Sequence, residues 1–156
     1  MKTLTLRPAM PEDAASISAL ITDLMPYMTL DADGAGAEKF MDSMAEPAIA
    51  AYLSQPRYQY LLGFIGSALA GAVAVRDGAH LFHLFVAREF HGCGLGRQLW
   101  LAARNAALAA GNTAGFTVNA SDYAFPMYQR WGFMPTGPRV EEGGIAWVPM
   151  RLPACA

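Results

Sequence analysis

Apolar and polar positions along the 156-residue chain switch repeatedly between two spacings. A spacing near 3.6 marks a helix with one buried face, and strict alternation marks a half-buried strand. Leu4 to Arg7 reads as a short strand. Pro11 to about Leu24 reads as a helix, with Pro11 in the first turn and Ala15, Ile17, Leu20, Ile21 and Leu24 on the buried side. A loop from Asp31 to Gly36 leads into a second helix, from about Ala37 to Leu53, interrupted near Pro47. Three consecutive strands follow: Tyr58 to Ile65, Ala68 to Arg76 and Ala79 to Val86. Their connections, Gly66-Ser67 and Asp77-Gly78, are two-residue hairpin signals. A third helix spans Leu95 to Ala110 and stops at Gly111, which reads as its C′ residue. The pattern then predicts a strand from Ala114 to Asn119, a helix from about Tyr123 to Trp131, and strands over Phe133 to Thr136 and Ile145 to Leu152. No repeat, linker or low-complexity tract interrupts this order, which describes one α/β domain over residues 1–156 with a mixed sheet.

The most specific chemical signal lies between the third strand of that run and the helix after it. His91-Gly92-Cys93-Gly94-Leu95-Gly96 places three glycines in five positions, so the backbone can turn tightly and approach a ligand without a Cβ in the way. Unpaired N–H groups at the start of the helix add the positive end of its dipole. Together these features predict a phosphate or pyrophosphate site. A dinucleotide fingerprint does not fit: its last glycine falls on Arg97 or Leu99, and the strand from Phe116 to Asn119 ends without Asp or Glu. A nucleoside-triphosphate loop does not fit either, since Gly-Lys-Ser/Thr occurs nowhere.

Composition narrows the class. Apolar residues make up 54% of the chain and charged ones 15%, enough for a real core and few charges for the surface. A net charge of −2 argues against a general nucleic-acid binder. No run of about 18 uncharged apolar residues occurs, so no membrane span is expected, and the N-terminus lacks a signal-peptide core, which makes a cytoplasmic location the expectation. Cys93 and Cys155 are expected to be free thiols, because a bridge from the glycine loop to the tail would be an odd staple. At a helix N-terminus Cys93 is expected to react readily with alkylating agents, and a nucleophilic role is its sharper alternative.

The loop is of the Arg/Gln-x-x-Gly-x-Gly/Ala type and resembles the acyl-CoA-binding motif of the GNAT superfamily of N-acetyltransferases. Three further blocks resemble the same family in the same order. Leu6-Arg7-Pro8-Ala9 with Glu12-Asp13-Ala14 resembles its first strand and helix start. Asn119-Ala120-Ser121, followed by Tyr128-Gln129-Arg130-Trp131-Gly132-Phe133, resembles its fifth strand and next helix, and Gly144 to Met150 resembles its last strand. The fold implied is a GNAT-like α/β domain with a mixed, mostly antiparallel central sheet of about seven strands flanked by four helices. One departure stands at the head of the loop, where His91 replaces the usual Arg or Gln. Backbone amides still form the cradle, and any side-chain contribution there depends on the protonation of His91.

The resemblance implies acetyl-CoA as co-substrate, lying in a splay between the fourth and fifth strands. It implies pairing of pantetheine with the main chain of Leu84, Phe85 and Val86, one of whose N–H groups would face the thioester oxygen. It implies a phosphate cradle of His91, Gly92, Cys93, Gly94, Leu95, Gly96 and Arg97. Asn119 would bond the pantetheine amides, or else simply end its strand. Tyr128 matches the Tyr of the family's Tyr-x-x-x-Gly-Phe pattern and would protonate the leaving CoA thiolate, the alternative being a core aromatic beside Phe125, Trp131 and Phe133.

The base is less marked. Many relatives carry a carboxylate on the fourth strand; here that strand holds His80 and His83 instead. Three positions apart, they are expected on opposite faces of a regular strand, which argues against a shared metal site, and no metal is expected. His83 ranks above His80 as general base because it lies closer to the thioester; a satisfied core or surface histidine is the alternative for each.

The acceptor should be a small-molecule or peptide amine. Six acidic residues and one basic, Lys39, fall between Asp23 and Glu46. Glu38, Asp42 and Glu46 recur every fourth residue, a helical face that would steer a cationic amine or else be plain solvated surface. Low charge and family habit admit a homodimer. Two functions stay open: an acetyl-CoA-dependent N-acetyltransferase, favoured by Tyr128, and a CoA-binding sensor or regulatory module with little transferase activity, favoured by His91 and the missing carboxylate.

Overall fold

A computed structural model describes residues 3–154; Cys155 lies outside the described residues. The strands are β1 (Leu4–Pro8), β2 (Tyr58–Ile65), β3 (Ala68–Arg76), β4 (His80–Val86), β5 (Phe116–Ala120), β6 (Met134–Pro135), β7 (Val140–Glu142) and β8 (Ile145–Leu152). The helices are α1 (Ala14–Asp23), α2 (Glu38–Asp42), α3 (Glu46–Leu53), α4 (Leu95–Ala109) and α5 (Phe125–Arg130). All eight strands join one sheet of order β1-β2-β3-β4-β5-β8-β6, with β7 on β8. Every pairing is antiparallel except β4 with β5. The mixed, mostly antiparallel sheet is the one expected; β7 is the strand that the apolar pattern missed, three residues of which only Val140 is apolar.

The sheet divides two cores. Alternation on β3 sends Ala72 and Ala74 to one face and Val73 and Val75 to the other. The first face carries α1 and α3 through Ala14, Ile17, Ile21 and Ile49; the second carries α4 through Leu99, Trp100 and Ala103, together with Tyr128 and Phe133. The buried stripe of α1 starts at Ala14, and Ala15, expected inside, is exposed. Counting back from Ile17 and Ile21 in steps of three and four reaches Ala14, one position away.

Pro47 separates α2 from α3. It occupies the first turn of α3, where a missing N–H is harmless, and residues 43–45 are turn. The chain direction therefore changes between Asp42 and Glu46, and the single acidic face expected of Glu38, Asp42 and Glu46 does not form. Helix α4 ends as its glycine predicts. Gly111 takes φ 110°, and the N–H groups of Gly111 and Asn112 donate to the carbonyls of Leu108 (3.1 Å) and Ala107 (3.0 Å), a Schellman closure. Gly66-Ser67 forms the expected two-residue turn, whereas Ala79 joins Asp77 and Gly78 in a three-residue loop. Among the described residues no helix is long and apolar enough to cross a membrane.

Contact between α4 and the sheet is unusually close at one point. Leu99, fully buried, lies over the cross-strand pair Gly63 and Gly71. A Cβ on Gly71 would stand 2.6 Å from Leu99 Cδ1 and 2.7 Å from the Phe85 carbonyl oxygen, so Gly71→Ala forces a shift costing about 1–3 kcal/mol. Leu99→Ala alone should cost about 2–5 kcal/mol through the cavity it leaves. Urea unfolding of both single variants and the double variant should show a double cost smaller than the sum, since removing Leu99 frees space for the new methyl; strict additivity would mean that the two do not share this space.

Candidate active site

Strands β4 and β5 pair over only two residues, His80 with Thr117 and Leu81 with Val118. Beyond that point β5 stays with β8 through Asn119 and Ala120, while β4 continues to Val86 on β3 alone. A bulge marks the point of divergence. Val75 pairs with Leu81 but Ala74 pairs with His83, so Phe82 is an extra residue on β4, and such an insertion bends its strand and increases its twist. The cleft that opens in mid-sheet leads into two cavities of about 590 and 480 Å³, which share Leu84, Phe85 and Ser121 as walls.

The larger cavity runs along Leu84, Phe85 and Val86 to the glycine loop, where His91, Gly92, Gly94, Leu95, Gly96 and Arg97 line it. Gly92 and Gly94 take left-handed φ of 79° and 78°, and Gly94 is the N-cap of α4. The helix's first bond runs from the Gln98 N–H to the Gly94 carbonyl (3.3 Å), which leaves the amides before Gln98 without intrahelical partners. These amides and the dipole of a fifteen-residue helix make an anion cradle. His91 is turned to another task. Its Nε2–H donates to the Val86 carbonyl (2.7 Å), its Nδ1 faces the Tyr123 hydroxyl at 3.4 Å, and its ring meets Tyr27 edge-on at 5.2 Å. The side chain thus ties the loop back to the end of β4. Cys93 is exposed, with Sγ 3.8 Å from the His91 carbonyl, and is absent from the cavity wall.

Tyr128, Asn119, His80 and His83 all line the smaller cavity. Tyr128 is 5% exposed, packed edge-on against Trp131 and Phe133 with ring centroids 5.5 and 5.4 Å away. Burial pushes its phenol well above the usual range, so it stays protonated. Its hydroxyl has no hydrogen-bond partner among the described residues. The expectation that His80 and His83 face opposite sides is overturned by the bulge. Their partners Arg76 and Ala74 lie two residues apart on β3 and so share a face, which brings both histidines to one side. His80 Nδ1 lies 2.8 Å from Thr117 Oγ1, bridging β4 and β5 where they part.

His83 is 2% exposed, and its ring stacks on Phe82 at 4.1 Å. The Tyr60 hydroxyl and its Nδ1 are hydrogen-bonded at 2.8 Å, while its Nε2 is buried without a partner. Burial pushes His83 down to about 3, which keeps the ring neutral and makes it a weak base. Sequence reasoning missed Tyr60, because nothing local in β2 signals that its hydroxyl meets a residue 23 positions on. The acidic trio is elsewhere: Glu38, Asp42 and Glu46 line neither cavity.

A family model described as an acetyltransferase (GNAT) domain matches residues 28–154. The chain belongs to the GNAT family. Solved structures share the fold of this GNAT domain over nearly its whole length. A GCN5-related N-acetyltransferase from Rhodopseudomonas palustris superposes with a TM-score of 0.78 at 26% identity, covering 98% of this chain and 97% of that one. The PaiA N-acetyltransferase of Thermoplasma acidophilum, solved in complex with coenzyme A, gives 0.76 at 15% identity, covering 97% and 99%. A spermidine N-acetyltransferase SpeG variant from Vibrio cholerae gives 0.69 at 19%, covering 96% and 93%. No curated protein matches the chain significantly.

Within the GNAT frame, the residues expected to meet the donor divide between the two cavities. Leu84 and Phe85 line both, Val86 and the loop apart from Cys93 line the larger, and Asn119 and Tyr128 line the smaller. The buried imidazole of His83 also carries a stability signature. Unfolded, His83 takes a proton below its ordinary value of 6.5; folded, it refuses one down to about 3. The unfolded state therefore binds more protons in that window, and stability must fall as pH drops through it, by at most about 1.4 kcal/mol per unit from this residue. Urea midpoints from pH 7 to 4 should fall less steeply for His83→Gln than for wild type; equal slopes would remove His83 from the acid limb.

Proposed function

We propose that this GNAT domain transfers an acetyl group from acetyl-CoA to a primary amine of a small molecule or peptide. The observation that carries the reading is the mid-sheet cleft that joins an amide-lined anion cradle to a cavity holding a buried, protonated phenol, Tyr128. The cradle fits a pyrophosphate in charge and in the absence of Cβ atoms at Gly92, Gly94 and Gly96. The divergent edge of β4 offers main-chain groups of Leu84, Phe85 and Val86 to pantetheine, and an N–H on this edge stabilises negative charge on the thioester oxygen as the amine attacks. As the nitrogen–carbon bond forms and the carbon–sulfur bond breaks, Tyr128 gives its proton to the departing thiolate. The nitrogen's surplus proton restores the phenol.

Burial makes His83 unsuited to take that proton from an ammonium ion. We assign it a hydrogen-bonding role beside Tyr60, with the amine reacting as its free base. Asn119, at the end of β5, supports the donor from the opposite wall. The fold likeness to a coenzyme A complex supports the choice of donor.

Acetyl-CoA in excess over its Kd should raise the thermal midpoint, since binding only the folded state at 100 times Kd adds about 2.7 kcal/mol. Thiol release with a panel of primary amines should then fall at least about 100-fold in Tyr128→Phe, with the acetyl-CoA shift retained. A variant as fast as wild type would dismiss the phenol as acid. Binding without thiol release from any amine would favour a CoA-binding sensor of the same fold.

A further inference from the structure

The smaller cavity has the opposite charge from the one the acidic stretch predicts for the acceptor. Arg76 is its one formally charged lining residue, and no carboxylate lines it. The guanidinium stands 5.3 Å over the Phe82 ring, and the side chain is 34% exposed. Its one ion-pair contact among the described residues is Asp77 Oδ2 at 4.0 Å. That carboxylate is already held by Arg57, through bonds of 2.6 and 3.1 Å, so the donors of Arg76 remain available. Most of the remaining wall is apolar or aromatic, with Tyr52, Phe82, Phe85 and Trp147 among its large groups. A second polar feature on this wall is His83 Nε2, buried without a partner.

We propose that the acceptor is a primary amine on an aromatic or apolar body, bearing an anionic group at the end remote from the amine, with Arg76 as the specificity-determining residue. The amine end of this statement rests on the acetyltransferase reading; the anionic end rests on Arg76 alone. Arg76 pairs with His80 at the start of β4, whereas the donor cavity begins at Leu84. On β3, Arg76 stands three residues from Val73, the partner of Leu84; at roughly 3.3 Å each these span about 10 Å, farther than an α-amino acid separates its two charges. A cation at the far end of the ligand would meet the Arg76 guanidinium, whose one nearby carboxylate, Asp77, is bound by Arg57 and lies off the cavity wall. Planar bidentate pairing suits guanidinium to a carboxylate or phosphate.

The test is calorimetric titration of the protein saturated with CoA, using para-(aminoethyl)benzoate, phenethylamine and para-xylylenediamine. The benzoate should bind at least about tenfold more tightly than phenethylamine, and the diamine most weakly. Arg76→Gln should cut the benzoate-to-phenethylamine affinity ratio about tenfold, and Arg76→Glu should reverse the order of benzoate and diamine. A diamine that binds wild type as well as the benzoate does, an affinity ratio unmoved by either variant, or no binding of any of the three overturns the proposal. Thiol release with acetyl-CoA, measured on the same amines, judges the transfer reading separately: preferential benzoate binding without release sinks the transferase but keeps this ligand class, and release without the preference does the reverse.

Discussion

The divergence of β4 from β5 is the constraint on which the rest of the molecule depends. A strand inside a sheet normally has partners on both edges, because unpaired backbone groups are costly when buried. Here β4 has β3 along its whole length but β5 for only two residues. The antiparallel ladder with β3, the bulge at Phe82 and the Leu99 contact over Gly63 and Gly71 hold the strand in place on its other side. The freed edge then lines a cleft where a ligand can take up its amides. His91 closes the end of that edge by donating to the Val86 carbonyl, so a residue in the glycine loop also completes the strand.

The same cleft sets the electrostatics. It is walled by aromatic rings, and burial drives four groups of the smaller cavity toward their neutral forms: Tyr52 and Tyr128 upward, His80 and His83 downward. Negative charge on a ligand can be met by groups that need no titration. At the donor end these are the amides at the start of α4 together with Arg97 and Arg130; at the far end it is Arg76. The β7–β8 hairpin closes this region over the loop between α1 and α2, with the Leu30 N–H donating to the Gly144 carbonyl (2.9 Å) and Thr29 bridging to Ile145. Arg139 pins the approach to β7 by pairing with Asp122, before α5, and with Glu141, both at 2.7 Å.

Local features were legible in the chain itself because local chemistry produces them. The glycine loop, the Gly111 cap, the Gly66-Ser67 turn and the break at Pro47 each follow from what a glycine or proline backbone allows. Alternation placed the long strands β2, β3 and β8 within a residue of their observed ends. Where the signal was short it failed. β7 has three residues with two of them acidic, and the first buried position of α1 is Ala14 where Ala15 is expected, because two adjacent alanines carry the same hydropathy.

The sequence by itself determined the order of elements, the family's loop and the presence of a tyrosine at the head of Tyr-x-x-x-Gly-Phe. Only the tertiary structure decided what those residues face. A bulge is a mismatch between two strands, so nothing within β4 announces that Phe82 is the extra residue or that His80 and His83 come to one side. The turn at residues 43–45 separates carboxylates that a continuous helix would align, and chain folding then leaves all three outside both cavities. Arg76, an ordinary strand-end residue in one dimension, becomes the cavity's one formal charge because the sheet carries the end of β3 to that wall.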